Sequence, residues 1–419
     1  MLQGPGRRGV GGGVSAAARK RYLVAAFGDA GHAFPAIALA RSLRDRGHEV
    51  IVETWEHWRE AVEAEGLGFT AAQEYRTFPP SPPDSPLGAS VADAARALVP
   101  MLEELRPDAV VSDILTLAPA LAAEVAGVRR VTLVPHVYPV HEPGLPFFAF
   151  GARPARTAVG RALWRAAEPV LVKGLERGRR ELNETRAAVG LPPLDRFHGG
   201  LSTDLVLVAT FPQLEYPRRW PAHTHVTGPM TFELDRPAVE PPDGDGPLVV
   251  VAPSTAQDPE GRLVRVVLEA LADEPVRVLA TTNRRGEPLP EAPANAAVVE
   301  WLSYSQAMPE ADLVVCHGGH GTVCRALGAG APVLCCPAVG DMAENGARLQ
   351  WAGAGLMLPG RLTGSRSVRP AVRRLLADPA FRKRARSLEA WARDHDGAAQ
   401  AAALVEKLRG RDSNPQPIG

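Results

Sequence analysis

Two short stretches carry side chains suited to chemistry. The first is VVCHGGHGTVCRALGAGAPVLCCP, Val314 to Pro337, where an apolar run ends in a turn of histidines and glycines, followed by a helix-like piece and a second apolar run. A glycine turn feeding a helix leaves backbone N–H groups unpaired at the positive end of the helix dipole. Gly318, Gly319 and Gly321 have no side chains, so an anion can come close to that backbone, as in a phosphate cradle. A tight strand-to-helix turn with no ligand is the alternative. The second stretch is GDAGHAF, after the apolar run RYLVAAF. His32 stands there, and a histidine titrates near the working pH and can take a proton from a hydroxyl nucleophile. Asp113, which closes AVVSD, is placed to orient such a ring and to stabilise its charged form. Asp29 is a weaker substitute base, and a capping role is the plain alternative for both His32 and Asp113.

Around the glycine turn lie further groups. Trp301 follows the apolar run AAVVE, and its indole offers a stacking face for a flat base. Asp341 and Asn345 fall on the next strand-to-helix loop, where a carboxylate can accept hydrogen bonds from hydroxyls. Flat base, diphosphate and hydroxyls thus find a partner on successive loops, as a nucleotide sugar requires. The four cysteines, Cys316, Cys324, Cys335 and Cys336, read as small apolar residues in a reducing cytoplasm. Their spacing is not that of a zinc ribbon. Asp243-Gly-Asp245 lies in a proline-rich stretch and not at a strand end, so no metal role is assigned to it.

The elements that position these residues repeat a strand–helix rhythm. RYLVAAF is a buried strand, Pro35 opens the helix PAIALARSLRDRG, Gly47 closes it, and HEVIVET is the next strand. Residues 108–112 and 131–134 are further strands. A proline-rich loop with Phe147, Phe148 and Phe150 occupies 139–165, and a basic helix about 165–189 precedes the strand LVLVAT. His136 and His141 flank that loop. With Phe34, Phe147 and Phe148, His136 would suit a flat apolar acceptor; loop packing is the alternative. His48, in the GHEV turn, reads as structural.

The acidic, proline-rich residues 228–247 form a linker. The rhythm then restarts with PLVVVAPS, a helix at 260–272, VRVLATT and AAVVEW, and ends in a strand at 355–358 and helices at 367–377 and 379–408. Alternation of this kind predicts α/β architecture with parallel sheets. The expected order is a disordered leader (1–20), an α/β domain that carries His32 and Asp113 (21–227), the linker (228–247), an α/β domain that carries the glycine turn (248–378), C-terminal helices returning toward the first domain (379–408) and a disordered tail (409–419). Ligands of such sheets sit at the carboxyl ends of the strands, so the cleft between the domains is the default site.

Composition narrows the classes. The chain has 419 residues, zero formal net charge and 22% charged residues. That length suits two or three domains. The balanced charge gives no footprint for nucleic acid or an anionic membrane, and no apolar stretch is long enough to span a bilayer. The basic N-terminus lacks a signal-peptide core. A cytoplasmic monomer or homodimer is expected.

Taken together, W-x(15)-HGGxGT-x(3)-AL-x(2)-G-x-P-x(4)-P-x(3)-D-x(3)-N-x(7)-GAG resembles the donor signature of the inverting nucleotide-sugar glycosyltransferases of GT-B fold. That family includes bacterial natural-product enzymes and the plant and animal UDP-glycosyltransferases. GDAGHAFPAIALARSLRDRGHEV resembles its first loop and helix, and the likeness spans about residues 21–408. The resemblance implies two Rossmann-like domains facing each other across a cleft. It implies His32 as the base and Asp113 as its support. Trp301 would stack on uracil or thymine, with the Leu302 backbone at the base edge. His317, Gly318, Gly319, Gly321, Thr322, Ser254 and Thr255 would hold the phosphates, and Asp341 and Asn345 would lie at the sugar. It implies a UDP- or TDP-sugar co-substrate with no metal or other cofactor. Met342 stands where relatives that use glucose often carry glutamine, which favours a deoxysugar donor. The dehydrogenase alternative needs GxGxxG after a strand and an acid closing the next strand, and neither is present. A non-catalytic module of the same fold would have dispensed with His32 or Asp113.

Overall fold

Apolar runs form the centres of two wholly parallel sheets. The computed structural model describes residues 19–72, 90–198, 200–254, 258, 260–284, 286, 288–337 and 340–408. Thr255, the leader through residue 18 and the tail from 409 lie outside the described residues.

In the first lobe the chain runs β1 (Arg21–Ala25), α1 (Ala30–Asp45), β2 (Glu49–Thr54), α2 (Arg59–Ala64), β3 (Gly68–Ala71), α3 (Val91–Leu105), β4 (Ala109–Asp113), α4 (Leu117–Val125), β5 (Arg129–Val134), α5 (Ala158–Ala188), β6 (Leu205–Val208) and β7 (Thr224–Val226). The second lobe continues with β8 (Leu248–Ala252), α6 (Arg262–Leu271), β9 (Arg277–Thr281), β10 (Ala296–Val299), α7 (Tyr304–Glu310), β11 (Leu313–Cys316), α8 (His320–Gly328), β12 (Val333–Cys335), α9 (Asp341–Ala352), β13 (Gly355–Met357), α10 (Ser365–Ala377), α11 (Pro379–Asp394) and α12 (Gly397–Glu406). Strand order is β3-β2-β1-β4-β5-β6-β7 in one sheet and β10-β9-β8-β11-β12-β13 in the other.

Both orders reverse direction once, between β1 and β4 and between β8 and β11. At such a point the loops leaving the two strands diverge to opposite faces and open a crevice at their carboxyl ends. His32 and Asp113 follow β1 and close β4. Ser254 and His317 follow β8 and β11. Topology alone therefore brings these residues to the two crevices.

The central strands β4, β8 and β11 are buried along their whole length, so packing on both faces demands their apolar runs. Helix α1 buries Ala36, Ile37, Ala40 and Leu43 at helical spacing against the first sheet. Each leucine or isoleucine buried there contributes about 1.5–3 kcal/mol. Helix α12 joins that same core through Ala401, Ala402 and Val405, so the end of the chain covers the first lobe. Its route back passes the outgoing segment at Gly228 (φ +107°), where the ring of Trp391 and the backbone of Gly397 leave no room for a side chain.

Several details differ from expectation. Helix α1 starts at Ala30, not Pro35, so His32 lies in a first helical turn and not in a loop. Pro35 sits one turn later, and the carbonyl it cannot serve belongs to Gly31. Helix α8 begins at His320, so the second histidine and the last glycine of the turn already lie in its first turn. Helix α5 starts at Ala158 and is longer than its amphipathic stretch. The single helix expected at 379–408 is two, because the Asp396 side chain caps the Ala399 N–H and starts α12 afresh. Strands β3 and β7 and helix α7 carry too little apolar pattern to be read ahead. Among the described residues no helix is long and apolar enough to cross a membrane.

Candidate active site

The first crevice holds a histidine–carboxylate pair. Asp113, only 2% exposed, places both carboxylate oxygens 2.9 Å from His32 Nδ1. The Phe27 N–H donates to Oδ2 (3.1 Å) and the Leu115 N–H to Oδ1 (3.4 Å), so backbone from two loops fixes the carboxylate. A carboxylate only accepts, hence His32 carries its proton on Nδ1 and leaves Nε2 as a free lone pair. Burial opposes charge on this ring. The Asp113 carboxylate, with Asp29 and Asp341, outweighs it and the pKa rises above 6.5. Asp341 belongs to the second lobe, so the field at His32 already spans the cleft.

Beside the pair stand His136, its ring 6.2 Å from His32, and Phe148, stacked on His136 at 5.6 Å. Burial, then the proximity of His32, pushes the His136 pKa down, so this second ring stays neutral. Phe147 instead packs on His141 and Phe150 of its own loop and on Trp164 of α5. Phe34 packs between Trp58 and Phe232. Of the residues expected at the acceptor, His136 therefore packs beside His32 and Phe148 on His136, whereas Phe147 and Phe34 fill apolar packing.

The second crevice is built by the glycine turn. Gly319 caps α8, and with α8 starting at His320 the N–H groups of His320, Gly321 and Thr322 have no partner within the helix. His317 Nδ1 lies 3.2 Å from the Ala252 carbonyl at the end of β8. Gly318 has φ +89°, and a Cβ there would lie 2.7 Å from Cys335 Sγ and 2.9 Å from the Met342 carbonyl. A Cβ on Gly319 would run into His317 Nε2, whereas one on Gly321 would meet nothing within 4 Å. The first two glycines are thus required by packing, and the third faces open space.

Asp341 is the first residue of α9. Asn345, one turn on, is 2% exposed; its Nδ2 donates to the Gly318 carbonyl (2.9 Å) and its Oδ1 lies 3.2 Å from His320 Nδ1. Its amide is therefore spent within the protein and positions the turn. Its neighbour His320 bridges the lobes instead of facing the crevice: Nε2 lies 3.3 Å from the Ala209 carbonyl in the first lobe, and burial pushes its pKa down to about 4. Trp301 follows β10 with the Arg236 guanidinium carbon 5.6 Å from its ring centre. Leu302 is buried, leaving its backbone to the loop, and Ser254 is buried directly after β8. All four cysteines are free and buried, and among the described residues no three His, Cys, Asp or Glu side chains are grouped to hold a metal.

Residues 22–132 match the glycosyltransferase family 28 N-terminal domain, and residues 265–405 match the erythromycin biosynthesis protein CIII-like C-terminal domain. A PGL/p-HBAD biosynthesis glycosyltransferase of Mycobacterium tuberculosis is 32% identical over 72% of this chain and 70% of its own length. The chain belongs to the GT-B glycosyltransferases. A 4'-demethylrebeccamycin synthase of Lentzea aerocolonigenes is 29% identical over 93% of this chain and 99% of its own. Among solved structures, CalG4, the calicheamicin glycosyltransferase, superposes with a TM-score of 0.73 at 22% identity, covering 95% of this chain and 100% of that one. The Streptomyces sp. SF2575 glycosyltransferase SsfS6, complexed with thymidine diphosphate, gives 0.63 at 21% identity, covering 93% and 100%. This is a glycosyltransferase of the natural-product biosynthesis type.

Some site features of the glycosyltransferase carried no sequence signal. Trp55 lies edge-on to Phe27 at 5.0 Å, and a Cβ on Gly28 would strike its ring. Glu53, 3% exposed at the end of β2, has a carboxylate oxygen without a partner among the described residues, and burial raises its pKa to about 8. Only the alternation of HEVIVET hints at Glu53, and it does not show which face the residue takes.

Proposed function

We propose that this glycosyltransferase moves a sugar from a UDP- or TDP-sugar to a hydroxyl of a hydrophobic small molecule, with inversion and without a metal. The observation that carries the reading is the His32–Asp113 pair at one topological switch point, facing across the cleft an α-helix N-terminus that starts at the other. His32 Nε2 takes the proton of the acceptor hydroxyl, and Asp113 stabilises the imidazolium that forms. The oxygen attacks the anomeric carbon from the first lobe while the diphosphate departs toward the second. The free N–H groups at the start of α8 and the His317 ring stabilise the charge that builds on the leaving group.

Asp341 holds sugar hydroxyls. Beside it Met342 offers a thioether where an amide would bind further hydroxyls, which favours a sugar with fewer of them. Phe148 and His136 give the acceptor a flat apolar wall. Thymidine diphosphate bound to the structural relative SsfS6 makes that diphosphate the natural first ligand to test beside UDP.

The test is a titration with UDP and TDP, with and without EDTA, followed by transfer assays on a panel of phenolic and polycyclic acceptors. His32→Ala should keep diphosphate binding and lose transfer. Loss of binding on EDTA treatment would defeat metal independence, and full transfer by His32→Ala would defeat the assignment of the base.

A further inference from the structure

The hydrogen bond that orients His317 also fixes where its proton lies. A backbone carbonyl can only accept, so Nδ1, 3.2 Å from the Ala252 oxygen, must be the protonated nitrogen of the neutral ring. Nε2 then carries a lone pair. That atom stands against Gly319, at the mouth of the glycine turn where the donor phosphates are read to bind. A lone pair cannot donate to an anion; it repels one. The ring serves a diphosphate only as imidazolium, with N–H on both sides.

We infer that the donor diphosphate binds together with one proton, which is taken up on His317 Nε2 and shared with a phosphate oxygen. This rests on the diphosphate reading above and adds the proton to it. The unliganded protein keeps that ring neutral: burial pushes its pKa down, against the Ala252 carbonyl and the acidic groups facing it, Asp341 on α9, Asp258 after β8 and Asp29 at the start of α1. An arriving diphosphate, with its negative charge beside Nε2, is the change that draws the proton in. During transfer the C–O bond to the leaving phosphate breaks and its electron pair stays on that phosphate. The Nε2–H remains hydrogen-bonded to it, while the acceptor's own proton goes to His32. Product release returns the His317 proton to water.

The experiment is isothermal titration calorimetry with UDP-glucose and TDP-glucose at pH 8, in buffers of different ionisation enthalpy. Both phosphates of a nucleotide sugar are esterified and bring no titrating group of their own near neutrality. The expected result is uptake of about one proton per site, with the association constant falling up to tenfold per pH unit above the free-site pKa. His317→Gln and His317→Asn, whose amides donate without titrating, should bind more weakly and take up none. Binding by the wild type with no proton exchanged would overturn the inference, as would uptake that persists in both variants and so belongs to another group. If neither nucleotide sugar nor either free diphosphate binds the wild type, the donor reading itself fails.

Discussion

Replacing Asp113 by asparagine tests the base at the point where the structure is most explicit. The carboxylate has two oxygens at equal distance from His32 Nδ1, and each also receives one backbone N–H. An amide keeps one oxygen. The better compromise leaves that oxygen on the Phe27 N–H at 3.1 Å and turns the NH2 toward the longer Leu115 contact at 3.4 Å. His32 Nδ1 then meets an acceptor and a donor side by side, so the tautomer with a free Nε2 is no longer enforced. The counter-charge for the imidazolium is also lost. A positioned base contributes on the order of 10²–10⁴-fold, and converting such an orienting carboxylate to an amide has cost about 10⁴-fold in a serine protease. Here Asp29 and Asp341 remain to offset part of the lost charge. The expected fall in kcat is therefore about 10³-fold, roughly 4 kcal/mol.

Sign and pH follow from the same contacts. In the wild type, the acid limb of kcat/KM should lie above pH 6.5, because His32 must be neutral to act and its pKa is raised. Without Asp113, burial is the largest remaining influence on the ring and the limb moves to lower pH. The deficit of Asp113→Asn should then grow as pH rises from 6 to 8. Nucleotide-sugar affinity, measured by calorimetry, should be unchanged. A kcat within about fivefold of wild type at pH 8, in a folded variant, would refute the pair as the catalytic base.

Three further outcomes are expected. Glu53, with its pKa raised to about 8, stays protonated in the folded chain while the unfolded chain ionises near 4.5; stability is therefore present at low pH and lost as pH climbs between the two values. Glu53→Gln should gain up to about 4 kcal/mol at pH 7.5 and almost nothing at pH 4.5 in urea unfolding, and an equal gain at both would show that ionisation is not involved. Gly318→Ala should lose about 2 kcal/mol or more, given its positive φ and the crowding by Cys335 and Met342, whereas Gly321→Ala should melt like the wild type yet bind diphosphate at least tenfold more weakly. If Gly321→Ala binds normally, the start of α8 does not hold the anion. Arg348→Met leaves Glu215 and Glu344 buried without their cation and should cost about 3–5 kcal/mol, read by denaturant unfolding.

What could be read ahead was whatever depends on chain order alone. Strand ends at a reversal of sheet order meet in a crevice whatever the side chains are, so His32, Asp113 and His317 were legible from alternation and motif. The two histidines of HGGHGT separate for a reason that spacing does not reveal. His317 precedes α8 and leans on β8, while His320 is already in its first turn and points at the Ala209 carbonyl of the other lobe. Asn345 shares a motif with Asp341 but lies a turn deeper, where Gly318 and His320 use up its amide. Strands β3 (GFTA) and β7 (THV) lie at the edges of the first sheet and need no apolar run, so nothing in their composition announced them. Trp55 and Glu53 depend on which face of β2 meets the first crevice, which is settled by packing around Gly28.

Helix α9 explains how two lobes can present one site. Its first residue, Asp341, acts on His32 from across the cleft. About 10 Å along the helix, Arg348 is buried in the first lobe, bonded to Glu215 at 2.8 Å and to the Leu214 carbonyl at 3.2 Å, with its guanidinium 3.7 Å from the Tyr216 ring. Between them Glu344 pairs with Arg348 and is hydrogen-bonded to Gly151 at the end of the loop that carries Phe148. Gly151 has φ +64°, and a Cβ there would sit 2.8 Å from that of Ala343 on the helix. A helix has little freedom to bend over two turns, so anchoring its second half in the first lobe restrains its first residue relative to His32. The same helix braces the loop that carries Phe148. Asp341, His32 and the loop of Phe148 are therefore held to one rigid element, and their relative placement does not depend on the long connection at 228–247.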